Sequence, residues 1–106
     1  MIVKKLDEFF RGWFIGDFEP ALLRTKYFEV GVLKHKAGEY WAKHYHALAD
    51  EFNVLVEGKM EVNGQILYKG DVFLIEKGEV SEPKFLEDCT VVVVKVPSVI
   101  GDKYAV

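Results

Sequence analysis

Residues 38–58 read GEYWAKHYHALADEFNVLVEG. A glycine stands at each end, where a chain can turn sharply. Between them, His44 and His46 lie two apart. On a strand, residues i and i+2 share a face, so two imidazoles can converge on one cation from one side. Tyr40 and Ala42 have the same parity, which predicts that Tyr40 faces the interior with the histidines and can offer a hydroxyl to a ligand. Trp41 and Tyr45 fall on the other face. A short connection, residues 47–50, leads to a second strand over residues 51–57. Glu51 opens that strand and can return a carboxylate to the same site. Phe52, Val54 and Val56 alternate along it and predict a core face. Neutral imidazole with carboxylate suits divalent Fe, Mn, Ni, Cu or Zn, and two histidines with one carboxylate leave positions open for substrate. The plain alternative is a pair of solvated histidines on a strand.

Strands continue on either side of this stretch. Residues 27–36 alternate, with Phe28, Val30 and Val32 on one face and Glu29, Gly31 and His35 on the other. Residues 59–62 and 65–68 flank Asn63-Gly64, a dipeptide that accepts positive φ at both central positions of a tight hairpin turn. Residues 71–76 and 90–96 predict two more strands, the last ended by Pro97. In residues 71–76 both parities are apolar, Phe73 and Ile75 against Val72 and Leu74, as when both faces of a strand are covered. No amphipathic helix separates the strands, which excludes an α/β fold. Short strands at close, regular spacing predict an all-β, double-sheet β-barrel or jelly roll. Before them lies a short irregular N-terminal segment, in which Leu6, Phe9 and Phe10 fit one helical turn.

The chain has 106 residues and a formal charge of −3, which gives one domain over 1–106 and no electrostatic footprint for nucleic acid or an anionic membrane. No apolar run approaches the ~20 residues of a membrane span. No secretory signal pattern is visible, and one cysteine, Cys89, cannot pair within the chain. A reducing, cytoplasmic setting fits both observations. Cys89 follows Glu87-Asp88, whose carboxylates disfavour a thiolate, so it reads as a small buried hydrophobe. Trp13, Phe14 and Phe18 read as core or interface aromatics, with a lid over the barrel mouth as the functional alternative. Residues 97–104 carry no chemical signal.

Taken whole, Gly38-x5-His44-x-His46-x4-Glu51-x6-Gly58 resembles the first signature motif of the cupin superfamily at all five fixed positions. The resemblance spans about residues 28–96 in strand order, and Asn63-Gly64 falls where a cupin turns between its motifs. It implies a jelly roll with a site inside the barrel and, often, a homodimer. The second motif departs from the family pattern Gly-x5-Pro-x-Gly-x2-His-x3-Asn. Gly70 and Gly78 are present, but Glu76 replaces the proline, Ser81 the histidine and Phe85 the asparagine. The third imidazole is therefore missing, and a neutral serine hydroxyl is a poor ligand.

Three readings stay open. His44, His46 and Glu51 bind a divalent transition metal (Fe, Mn, Ni or Zn) with waters completing the shell. Alternatively Glu79, Glu82 or His35 replaces the missing ligand. Or the metal is absent, and a histidine acts as acid/base with Glu51 setting its tautomer and pKa. The first reading expects chemistry on a small polar molecule by a dioxygenase, isomerase or lyase, with Tyr40 or Ser81 orienting the ligand. The last expects a sugar-binding module or a sugar-type epimerase or isomerase, with Lys34, Lys36 and Lys43 as nearby cations.

Overall fold

The computed structural model describes residues 1–106. Two 3-10 turns, Leu6–Glu8 and Phe10–Gly12, precede eleven strands: β1 Trp13–Gly16, β2 Leu23–Arg24, β3 Glu29–His35, β4 His44–Tyr45, β5 Asp50–Glu57, β6 Lys59–Val62, β7 Gln65–Tyr68, β8 Val72–Ile75, β9 Pro83–Phe85, β10 Cys89–Val96 and β11 Tyr104–Ala105. Six of them form one sheet in the order β2-β1-β3-β10-β5-β8. The opposing layer is β7-β6-β9 together with the β11-β4 pair, stitched by single bridges at Tyr40–Lys84 and His44–Ser81. This is the all-β jelly roll that the strand pattern predicts. No helix is long and apolar enough to cross a membrane.

The core lies between the layers and is built from Leu55, Met60, Leu67, Phe85, Cys89, Val91 and Val93. Strand β10 shows the period-two logic most clearly: Cys89, Val91 and Val93 are buried, and Val92 and Val94 point the other way. At the hairpin, Asn63 and Gly64 both adopt positive φ, 52° and 84°, and Val62 pairs with Gln65. Gly58 shows why a glycine must end β5. A Cβ there would sit 2.3 Å from the Asp88 carbonyl oxygen, so the missing side chain lets the entry to β10 close in.

Strand β5 corrects one expectation. Phe52, Val54 and Val56 are not core; Phe52 and Val56 are 44% and 40% exposed. The inner face is Glu51, Asn53 and Leu55, with Asn53 and Leu55 buried. Two of those three, Glu51 and Asn53, are polar and line a cavity between the layers, so the more hydrophobic face of the strand is the outer one. The same holds in β8, where Val72 and Leu74 pair with Val54 and Phe52 and face outward while Ile75 is buried.

The N-terminal segment is also more regular than its sequence indicates. Strand β1 pairs antiparallel with β3 and extends the large sheet. Its four residues are too few for a periodic signal. Trp13 lies flat on Gly31, where any side chain would clash with the indole.

Candidate metal and ligand site

Strand β4 is pinned to the loop before β9. His44 N–H donates to the Ser81 carbonyl at 3.1 Å, and Ser81 N–H donates back to His44 at 2.8 Å. Ser81 thus stands directly opposite His44, and it is buried. His44 and His46 meet edge to face with ring centroids 5.4 Å apart. The Nδ1 of His44 lies 2.9 Å from the Ala42 carbonyl oxygen, and that of His46 lies 2.6 Å from the Asp102 carbonyl oxygen. A carbonyl oxygen only accepts. Each Nδ1 therefore carries a proton, and in the neutral ring Nε2 keeps a free lone pair. Backbone carbonyls fix the ring tautomers here; Glu51 does not.

Asp102 is the residue that the sequence did not disclose. It is buried, and its carboxylate accepts the backbone N–H groups of Ala47, Leu48 and Ala49 at 2.9–3.2 Å. That cradle fixes the connection between the histidine pair and Glu51. The available signal was Gly101-Asp102, a turn dipeptide, with Gly101 at φ 76°.

The two histidines, Glu51, Asn53 and Ser81 line one cavity of about 140 Å³, closed on its apolar side by residues such as Trp13, Trp41 and Phe73. By size this is close to the ~150 Å³ cavity that holds benzene in an engineered protein. No three His, Cys, Asp or Glu side chains converge closely enough to hold a metal as they stand. The structure brings the two imidazoles together and puts Glu51 on the same cavity wall.

Tyr40 is not in the cavity. It is 56% exposed and its hydroxyl donates to Glu82 at 3.0 Å. The predicted strand over residues 40–46 is broken: only His44 and Tyr45 are in β4, and residues 41–43 carry no ladder. The interruption resets the parity, and Trp41 turns inward in its place. The Trp41 indole N–H donates to Glu39 at 2.8 Å. Glu39 also bonds His35 Nδ1, and these hydrogen bonds outweigh its burial and hold the carboxyl below its usual range. His35 lines the cavity but is occupied, stacked on Phe85 at 3.9 Å. Glu79 accepts the Glu76 N–H in a turn, and Glu82 holds Tyr40, so neither lines the cavity. The cations that do line it are Arg11, Lys95 and Lys103; Lys34, Lys36 and Lys43 do not.

Burial depresses the His46 pKa, repulsion from Lys95 adds to this, and attraction to Glu51 only partly offsets both. Burial likewise lowers Lys103, aided by Lys95 and Arg11. Cys89 is buried and burial raises its thiol pKa, in keeping with a packing role.

No protein-family profile matches the chain, and no curated protein matches it significantly. Solved structures do match. An uncharacterised conserved protein with a double-stranded β-helix domain from Klebsiella pneumoniae superposes with a TM-score of 0.70 at 22% identity, over 93% of this chain and 92% of that one. KdgF from Halomonas sp. gives 0.64 at 23% identity, over 72% and 74%. Oxalate decarboxylase from Bacillus subtilis gives 0.67 at 15% identity, over 76% of this chain and 24% of that one. A cupin-2 domain protein from Shewanella frigidimarina gives 0.59 at 22% identity, over 68% and 72%. The chain has the cupin fold. Within this fold His44, His46 and Glu51 line one cavity, and Ser81 occupies the place opposite His44.

The depressed His46 pKa makes a pH prediction. Above 6.5, its ordinary value, the imidazole is neutral in both the folded and the unfolded chain and contributes nothing. Below it the unfolded chain takes a proton that the folded chain refuses, so stability falls with pH until the folded pKa is reached. Urea unfolding in the presence of a chelator, from pH 8 to 5, should show a loss of ~1.4 kcal/mol per unit of pKa separation that His46→Gln lacks. Equal slopes in the two proteins would contradict it.

Proposed function

We propose that this cupin holds a divalent transition metal on His44 and His46, with Glu51 as the carboxylate donor, and uses it on a small polar molecule bound in the same cavity. The observation that supports this most is the pair of Nδ1–H bonds to backbone carbonyls, the usual second partner of a metal-ligating histidine. It leaves both Nε2 atoms as neutral donors, and burial keeps His46 in that state. Ser81, buried opposite His44, supplies a hydroxyl that orients the ligand rather than a third imidazole. A bound cation would supply Lewis-acid polarisation of the ligand. The reaction classes that fit are dioxygenase, isomerase and lyase chemistry. The Mn(II) centres described for Bacillus subtilis oxalate decarboxylase lend support by likeness of fold.

A metal-free reading has its own observation: Ser81 replaces the third ligand, and no three donor side chains yet converge. In that reading the cavity binds a sugar-like molecule, or a histidine Nε2 acts as general base in an epimerase or isomerase. Metal analysis of protein purified without chelator or a nickel column separates the two. We expect near-stoichiometric metal, lost in His44→Ala and His46→Ala. At ~100 times Kd, added metal should raise the melting temperature by ~10 °C or more. Metal-free protein that shows no shift with Fe(II), Mn(II), Ni(II) or Zn(II) would overturn the metal reading in favour of the second.

We also propose a homodimer through the outer face of the large sheet. Phe52, Val56, Val72, Leu74 and Val96 are all exposed there, beside Val54, Val92 and Val94. A contiguous apolar patch of this kind marks an association surface, and a two-fold axis covers it with itself. The single buried thiol agrees with a reducing, cytoplasmic setting. Light scattering after gel filtration should give the mass of two chains for the wild type and of one for Val54→Lys/Val72→Lys. A monomeric wild type would contradict the dimer.

A further inference from the structure

Arg11, Lys95 and Lys103 bring three positive charges to the cavity. None of them takes part in any of the chain's ion pairs. Each lies instead on an indole face. Lys103 Nζ is 4.0 Å and Arg11 Cζ 4.6 Å from the Trp41 ring centroid, and Lys95 Nζ is 5.0 Å from that of Trp13. An aromatic face attracts a cation but supplies no full negative charge. The acids facing Lys95 are its strand neighbours, Glu29 on β3 and Glu51 on β5. Of these only Glu51 lines the cavity, and it is the carboxylate of the metal site. Even with Glu29 counted beside Glu51, three cations face two acids and leave excess positive charge, and a divalent ion on His44, His46 and Glu51 would add to it.

The backbone points the same way. Arg11 is one of two non-glycine residues with positive φ, 54°, and unlike Asn63 it is not in a hairpin turn. A left-handed arginine costs ~1–2 kcal/mol, which glycine or asparagine would largely avoid. The chain accepts that cost and sets the guanidinium over Trp41 at the cavity.

We propose that the cavity takes a small carboxylic acid, its carboxylate held by Arg11 and Lys103 against Trp41, with Lys95 adding to the positive field. This deepens the reading above and rests on the same cavity being the ligand site. The size of about 140 Å³ admits an acid of few carbons.

The test uses the full chain freed of metal with a chelator, so that carboxylate binding to a cation plays no part. Calorimetry would compare malonate and tartrate with their neutral diamides and with inorganic phosphate. We expect at least one diacid to bind at least tenfold more tightly than its diamide and more tightly than phosphate. Arg11→Asn and Lys103→Gln should each weaken it about tenfold, ~1.4 kcal/mol. Asparagine tolerates the left-handed backbone, so Arg11→Asn should melt no lower than the wild type and keep its metal content. Equal binding of diacid and diamide, no binding of either, tighter binding of phosphate, or full affinity in both variants would each overturn the proposal. Metal content, measured separately on the same proteins, shows whether the metal reading fails on its own.

Discussion

A buried carboxylate near the end of the chain holds the site together. Asp102 gathers three successive backbone N–H groups, those of Ala47, Leu48 and Ala49, and its own carbonyl takes the His46 Nδ1 proton. The loop thereby fixed runs from the second histidine to the start of β5, which carries Glu51. Without Asp102 these N–H groups would lose partners, at ~1–3 kcal/mol for each one left buried and unpaired. The pin also needs residues 97–103 to stay in place. Ser98 secures them, donating its N–H to the Lys26 carbonyl and accepting the Asp17 N–H on its hydroxyl. Strand β11 then covers β4, with Tyr104 stacked on Tyr45.

A jelly roll that carries a polar site between its layers gives up part of its core to do so. The inner face of β5 bears Glu51 and Asn53 where an ordinary strand would bear two apolar residues. The apolar residues of β5 and β8 stand on the outer face instead, where Phe52, Val56, Val72 and Leu74 are exposed. The cavity and the exposed apolar patch are thus two sides of one sheet, and residues that alternate along β5 line them in turn. Lys95 is part of the same economy: the inward neighbour of Glu29 and Glu51 across the sheet, it helps to keep His46 neutral.

Much of this was legible in the residues. The spacing of His44, His46 and Glu51 between Gly38 and Gly58 pointed to one motif, and these side chains do line one cavity. Asn63-Gly64 turned as its composition requires. Tyr40 was misplaced because parity counting assumes an unbroken strand, and residues 41–43 break it. Phe52, Val54 and Val56 were misplaced because hydrophobicity alone cannot tell a core face from an exposed apolar one. Asp102 and Arg11 were missed for a different reason. Arg11 lies 27 residues before Gly38 and Asp102 lies 44 after Gly58, and only the closing of the fold brings them to the motif.

The proposed metal site needs His44 and His46 to present two unprotonated Nε2 atoms to the cavity. Nitrogen-15 NMR of the imidazole rings tests it directly. At neutral pH both rings should be in the Nδ1–H tautomer, and both Nε2 resonances should move together as Zn(II) is added to one equivalent. An Nε2–H tautomer at either residue, or Nε2 resonances unmoved by Zn(II), would contradict it.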